Sequence, residues 1–344
     1  MAKQLLTPAK PQGPVWKPGM TITNSSGTVN PTSLGYQYAT YTTTVVLPEK
    51  VIGQTFYTVP FAKFVNVEVG LAAWMENIKI NTGFRLAGNF FQGLSSLGQG
   101  GAQIARVDVG IAPVTVAIDT FMGGYDYTIP EINKALAADQ WDVVSDKMLA
   151  LKEMWDLGLQ YTCFLGNPND QTNFPGLLTQ AGVTLDTTTI PQFINQMSPT
   201  QFSTFVANVV AKYFANTNFT RMPNTFVMPY ADWNGLMVPV SAQFPNVSMM
   251  TYLLDAFRQA TGHQDFQILP LAYCDSANNT NVIGAYRYAL YHKDPRSLRM
   301  FVPVPFQLNP AGTANNVQWE GIAMGQFTSP VAIKPAELYY FQHS

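Results

Sequence analysis

Three residue patterns in this 344-residue chain invite a chemical reading, and each lacks a part. Gly93 and Gly98 have the outer spacing of a phosphate-binding loop, in which backbone N–H groups cradle the phosphate and a lysine neutralises it. Gln99 stands where that lysine belongs, and no helical pattern follows. His263, His292 and His343 are far apart, with no H-E-x-x-H to set two imidazoles on one helical face, so the sequence supports no zinc site. Cys163 and Cys274 are too few for a disulfide framework and form no C-x-x-C pair, and Cys163 reads as a small core residue. There is no G-x-S-x-G, and no motif pairs carboxylates for acid–base work. The expectation is therefore not an enzyme, with no catalytic residue, cofactor or metal ligand to name.

Composition points the same way. Charged residues make up 12% of the chain, about half of the roughly 25% usual for soluble domains, while 47% are hydrophobic. Charge is depleted at the cores of subunit interfaces, so extensive self-contacts are expected. A net charge of −2 argues against a dedicated nucleic-acid binder, which carries a basic face. No run of 18 apolar residues predicts a membrane span, and the start, MAKQLLTPAKPQGP, lacks the apolar core of a secretory signal.

The elements that must carry any surface function are legible from periodicity. Residues 1–48 are rich in Pro, Gly, Ser, Thr and Asn, carry Lys3, Lys10 and Lys17, and include the aromatic anchors Trp16, Tyr36, Tyr38 and Tyr41. Composition alone reads this segment as disordered, while its aromatic anchors lead to the expectation of an arm held by a neighbouring subunit. Val65, Val67 and Val69 alternate with polar residues, as do Val107, Val109 and Ile111, after which the apolar parity moves to Val114, Val116 and Ile118 beside Pro113. The first two runs predict strands, and the parity shift predicts a bulge in an edge strand. With the Gly-rich stretch 83–101 as a tip, the two arms form a long hairpin that cannot bury its own Phe84, Phe90 and Phe91.

Next, Val144, Met148, Leu151, Trp155 and Leu159 line one helical face, with Asp142, Asp146, Glu153 and Asp156 opposite. Thr128, Pro130 and Glu131 give a start and Gly166, Asn167 and Pro168 a stop. The spacing thus predicts a helix over 130–165, bent or broken near Asp139 and Gln140. Farther on, Ser198 to Gln201 reads as a capping box opening a helix with Phe202, Phe205, Val206, Val209, Val210 and Tyr213 on its apolar face. A strand at 225–228, helices around 230–238 and 248–260, strands near 266–269, 282–288 and 298–304, and one or two closing strands over 317–341 complete an α+β body.

This order of elements resembles the major capsid proteins of tailed bacteriophages, the Hong Kong 97-type fold. Four stretches carry the resemblance: VAIDTFMGGYDYTIPEINKA, FLGNPNDQTNFPGLLT, RMPNTFVMPYADW and AYRYALYHKDPRSLRMFVPVPF. It implies an N-terminal arm over 1–50, an extended hairpin (the E-loop) over 65–118 and an axial domain over 171–316. The peripheral domain with its long spine helix would comprise 51–64, 119–170 and 317–344. The implied function is self-assembly, as pentamers and hexamers, into the icosahedral shell around a double-stranded DNA genome; the alternative is an encapsulin-like nanocompartment shell enclosing protein cargo. Implied partners are further copies of the chain, with scaffolding, portal and decoration proteins, weak non-specific contact with packaged DNA, and no membrane. The implied location is the virion, assembled in the bacterial host cytoplasm. Inter-subunit contacts are expected at Trp16, Tyr36, Phe84, Arg85, Phe90 and Phe91. Some relatives crosslink subunits through a Lys and an Asn; Lys79 lies in the hairpin, but no residue here matches such a position clearly.

Overall fold

The computed structural model describes residues 23–24, 27–28, 56–87, 106–139, 142–241, 244–315 and 317–343. The chain divides into two compact units, Met1–Phe56 with Ile129–Val143, and Tyr57–Thr128 with Val144–Ser344. In the first, β1 (Thr23–Asn24) pairs with β2 (Gly27–Thr28), and α1 spans Ile129–Asp139.

Along the rest of the chain come β3 (Asn66–Val69), β4 (Asn77–Ala87), β5 (Val107–Ala117), β6 (Asp119–Thr128), α2 (Val143–Phe164), β7 (Thr184–Asp186), α3 (Pro199–Thr217), β8 (Thr225–Met228) and α4 (Tyr230–Gly235). Then follow β9 (Pro239–Ser241), β10 (Phe244–Ser248), α5 (Met249–Thr261), β11 (Gln267–Pro270), β12 (Tyr286–Tyr291), β13 (Leu298–Val302), β14 (Val304–Leu308), β15 (Gly312–Asn315), β16 (Gln318–Phe327), β17 (Val331–Ala332) and β18 (Leu338–His343).

A period of two builds the five-stranded sheet β11-β8-β12-β18-β7. Val227, Ala289, Tyr291, Leu338 and Tyr340 face a core shared with Trp155, Leu159, Cys163 and Phe164 of α2. Their sequence neighbours Phe226, Met228, Tyr288, Leu290, Tyr339 and Phe341 face the opposite core, filled by α3 and α5. α3 starts with the expected capping box: Ser198 accepts from the Gln201 N–H, and Gln201 Oε1 accepts from the Ser198 N–H at 2.9 Å.

Two of the motifs that carried the resemblance prove to be clamps. After α2, Gly166 adopts φ +85°, and the chain doubles back so that the N–H groups of Leu177 and Leu178 donate to the carbonyls of Cys163 and Phe164. The Tyr340 hydroxyl then donates to the Leu177 carbonyl at 2.5 Å, and Arg287 Nη1 to that of Leu178 at 2.7 Å. At the end of β12 the Tyr291 hydroxyl donates to the carbonyl of Phe64, and just beyond it Lys293 Nζ donates to those of Ala62 and Lys63.

The helix over 130–165 is broken where the sequence indicated, into α1 ending at Asp139 and α2 beginning at Val143, and the stripe of α2 is buried at Leu151, Trp155 and Leu159. Other expectations are corrected. The run from Val65 to Val69 is no arm of the hairpin, because β3 lies parallel to β13 in another sheet; the outgoing arm is β4. Pairing of β4 with β5 is unbroken from Asn77↔Ala117 to Ala87↔Val107, so there is no bulge at Pro113. A two-stranded ribbon leaves alternate N–H groups facing outward, which lets Pro113 sit in it without interrupting the pairing. Residues 298–308 pair with β3 and β16, whereas the closing strand β18 joins β12 and β7.

Inside the α3/α5 core, Asp232 is wholly buried; its Oδ2 accepts from the Tyr288 hydroxyl at 2.6 Å, and Tyr288 lies 3.1 Å from His343 Nε2. Burial holds the Asp232 carboxyl above its ordinary range, opposed by the Tyr288 hydroxyl and the N–H groups of Ile194 and Asn195. Tyr288→Phe removes that donor and should cost about 1–3 kcal/mol at pH 7. It also raises the Asp232 carboxyl further above its unfolded value, so the added loss develops as pH rises through the folded value and fades toward about pH 4. Denaturant titrations at the two pH values check this; a loss that did not change with pH would contradict it.

Candidate assembly surface

The β4–β5 ribbon leaves the body through a loop whose backbone is held in an unusual shape. Gly70, Ala72 and Trp74 all have positive φ, at 84°, 63° and 63°. For alanine and tryptophan that region costs of order 1–3 kcal/mol, so it must be imposed by partners. Those partners are visible: the Gly70 N–H donates to the Val302 carbonyl at 3.0 Å, the Met75 N–H to that of Ala72 at 3.2 Å, and the Trp74 N–H to Gln326 Oε1 at 2.7 Å. At the return, the Ile118 N–H donates to the Glu76 carbonyl. The exit angle of the ribbon is thereby tied to β13 and β16.

The ribbon changes its apolar face along its length. Near the base, Ile78 opposite Val116 and Ile80 opposite Val114 turn inward and pack with Phe301. In the distal half the apolar residues are on the other face, with Val107, Val109 and Ile111 exposed at 68%, 65% and 69%. Their cross-strand partners on that face are Ala87, Arg85 and Gly83. Phe84, half exposed, lies back over Gly110 on the first face, where an added Cβ would meet its ring at 2.1 Å. The parity shift in the sequence was thus a change of face, not of register.

A second exposed apolar face lies on β6 and β16, which pair from Thr128↔Gln318 to Asp119↔Phe327. Their inner side packs on α2, where the rings of Phe121, Phe306 and Phe327 surround Trp155 at 5.4, 6.2 and 5.6 Å. Gly325 is required there, since a Cβ would meet the Trp155 ring at 2.5 Å. On the outer side Met122 and Ile322 are 70% and 50% exposed, with Asp126 and Glu320 forming the adjoining cross-strand pair.

Of the residues singled out in the sequence, Phe84 and Arg85 are together on the exposed part of β4; Trp16, Tyr36, Phe90 and Phe91 lie outside the described residues, as does most of the Gly-rich tip with Gly93 and Gly98. The fold brings His263 and His292 to 5.9 Å between ring centroids, which sequence distance hid, but His292 Nδ1 is 2.8 Å from the Met222 carbonyl and burial lowers its basicity. Among the described residues no group of three His, Cys, Asp or Glu could hold a metal ion, and no helix is long and apolar enough to cross a membrane. Burial pushes both thiols, Cys163 and Cys274, well above the usual range. Periodicity could not have found the β6/β16 face, because only the pairing shows that Met122 and Ile322 share a surface.

A family model described as major capsid protein matches residues 95–342. Among solved structures, the capsid of Myoviridae phage XM1 has a TM-score of 0.70 at 14% identity, over 87% of this chain and 96% of that one. The capsid of a native GTA particle follows at 0.56 and 10% identity, over 86% and 93%, and a structure of Mycobacterium phage Che8 at 0.51 and 14%, over 87% and 97%. At such identities the likeness establishes the fold, which is of the Hong Kong 97 type. No curated protein matches the chain.

Proposed function

The chain belongs to the major capsid protein family, and on that premise we propose that it builds the icosahedral head of a tailed phage from pentamers and hexamers around double-stranded DNA. The observation that carries the reading is the ribbon with its bared distal stripe, an exposed apolar surface of the kind that marks an interaction site. Head-to-tail contacts close into rings when the rotation between copies permits it. Residues 171–316, with α3, α5 and the strands β7, β8, β11 and β12, serve as the axial domain, facing the ring centre. The β6/β16 sheet on α2 serves as the peripheral domain with its spine, and each ribbon lies against a neighbouring copy. An interface of roughly 2,000 Å² or more per pair is the scale expected of such obligate contacts.

Residues 1–50 serve as an arm between neighbours, with Trp16 and Tyr36 as anchors. Contact with packaged DNA is weak and independent of base sequence, since near-neutral charge leaves few cations to displace counterions. Scaffolding, portal and decoration proteins complete the particle, which forms in the host cytoplasm.

Truncating the ribbon tests the reading. Thr82 and Ala112 are register partners on a hydrogen-bonded rung, set by the Ile118 N–H bond to the Glu76 carbonyl, so an Asn-Gly turn joining them replaces residues 83–111 by a hairpin of permitted geometry. The shortened chain should keep the unfolding transition of the parent yet form no particles by light scattering and electron microscopy. Normal shells from it would refute the role given to the ribbon. Particles from the native source holding protein cargo and no nucleic acid would instead favour a nanocompartment.

A further inference from the structure

The two exposed apolar faces match each other rung by rung. On the ribbon, the pair Arg85–Val109 is followed two residues along by Gly83–Ile111. On the β6/β16 sheet, the pair Asp126–Glu320 is followed two residues along by Gly124–Ile322. In both, a charged rung lies about 7 Å from a rung that sets an isoleucine beside a glycine. The charges are opposite, basic on the ribbon and acidic on the sheet. Among the described residues no salt bridge engages Arg85 or Glu320, and Asp126 Oδ2 has only a 3.4 Å contact from Gln318 Nε2.

Neither glycine is required by its own chain. Both have ordinary backbone angles; a Cβ on Gly83 would meet nothing within 4 Å, and one on Gly124 only the Gly321 carbonyl at 3.8 Å. This contrasts with Gly325, where the fold itself forbids a side chain. A glycine beside an exposed isoleucine leaves a shallow recess one side chain wide. Sheets that pack face to face interdigitate in this way at about 10 Å.

Resting on the shell reading, we propose that the distal ribbon of one copy packs on the outer β6/β16 face of a second copy in a fixed register, with Ile111 in the recess at Gly124, Ile322 in the recess at Gly83, and Arg85 over Asp126 and Glu320. The apolar pairs with Met122 beside them supply the attraction, and the charged rung excludes slipped alignments, because a slip by one rung sets Arg85 over methylenes and leaves the carboxylates desolvated. The ribbon therefore selects one position on its partner, not merely an apolar surface.

Charge exchange tests the register separately from assembly. Arg85→Glu and Glu320→Arg, each alone, should raise the concentration needed for assembly by about tenfold or more, as expected for like charges brought together. The chain carrying both should recover most of the loss. Both sites are exposed, so the melting curves of all three variants should match the parent. As a second measurement, Ile111→Cys with Gly124→Cys should give a ladder of linked chains when assembled particles are treated with a bis-maleimide long enough to span sheets packed at about 10 Å, since Cys163 and Cys274 are buried. Singles that assemble like the parent, a combined variant no better than either single, or particles without a ladder would overturn the register while leaving the shell reading intact. A parent chain that forms no particles would overturn both.

Discussion

Gly176→Ala should cost more than about 4 kcal/mol, a loss beyond most point substitutions. The added Cβ would lie 2.4 Å from the Gly166 nitrogen, 2.4 Å from the Phe164 carbonyl oxygen and 2.5 Å from the Leu165 carbonyl carbon. All three are backbone atoms, so no rotamer change relieves the contact. Nor can the turn move away. The bonds from Leu177 and Leu178 to the end of α2, and the clamps of Tyr340 and Arg287 on the same two residues, would break together. Gly166→Ala should be about as severe, because its Cβ would meet the Phe174 carbonyl oxygen at 2.4 Å from a backbone already at φ +85°. Chemical denaturation measures both, and a change below about 1 kcal/mol in either would show that the turn is softer than its bonds suggest.

Trp155→Ala should lose about 3–5 kcal/mol. The indole fills the space between α2 and the β6/β16 sheet, is 5% exposed, and meets Phe121, Phe306 and Phe327. Gly325 already gives up its side chain to admit the ring, so nothing on β16 can move in to refill the site. Because this packing holds the sheet that also carries Met122 and Ile322, the variant should lose assembly in step with stability, whereas Arg85→Glu should lose assembly alone. Comparing melting temperature with particle yield for the two variants separates a support from a contact.

The sequence was most legible where local chemistry decides the outcome. The capping box at Ser198, the strand at 225–228 and the left-handed stop at Gly166 need only a few adjacent residues, and they lie where the pattern put them. Alternation was harder to use, because it reveals which side chains share a face and never which strand is the partner. Val65 to Val69 alternates as well as any hairpin arm, yet pairs with β13, more than 200 residues later. Ile78 and Ile80, the true inner face of the outgoing arm, are too few to stand out among Asn77, Lys79 and Asn81. The shift of parity at Pro113 was ambiguous in principle, since an extra residue and an exchange of faces leave the same trace in sequence. The docking face on β6 and β16 was invisible, because its residues are some 200 positions apart and meet only through pairing.

The ribbon has a further consequence for the life of the free subunit. Among the described residues it is two strands wide, so β4 and β5 both present an open edge, and the distal stripe adds valine and isoleucine beside them. Strands of this kind add readily to one another. Between release from the ribosome and capture by a growing shell, two free ribbons that meet edge to edge would form a dead-end pair. The yield of particles should therefore depend on how quickly subunits are consumed relative to how quickly they are made, and slow synthesis in the presence of growing shells should outperform a burst of expression.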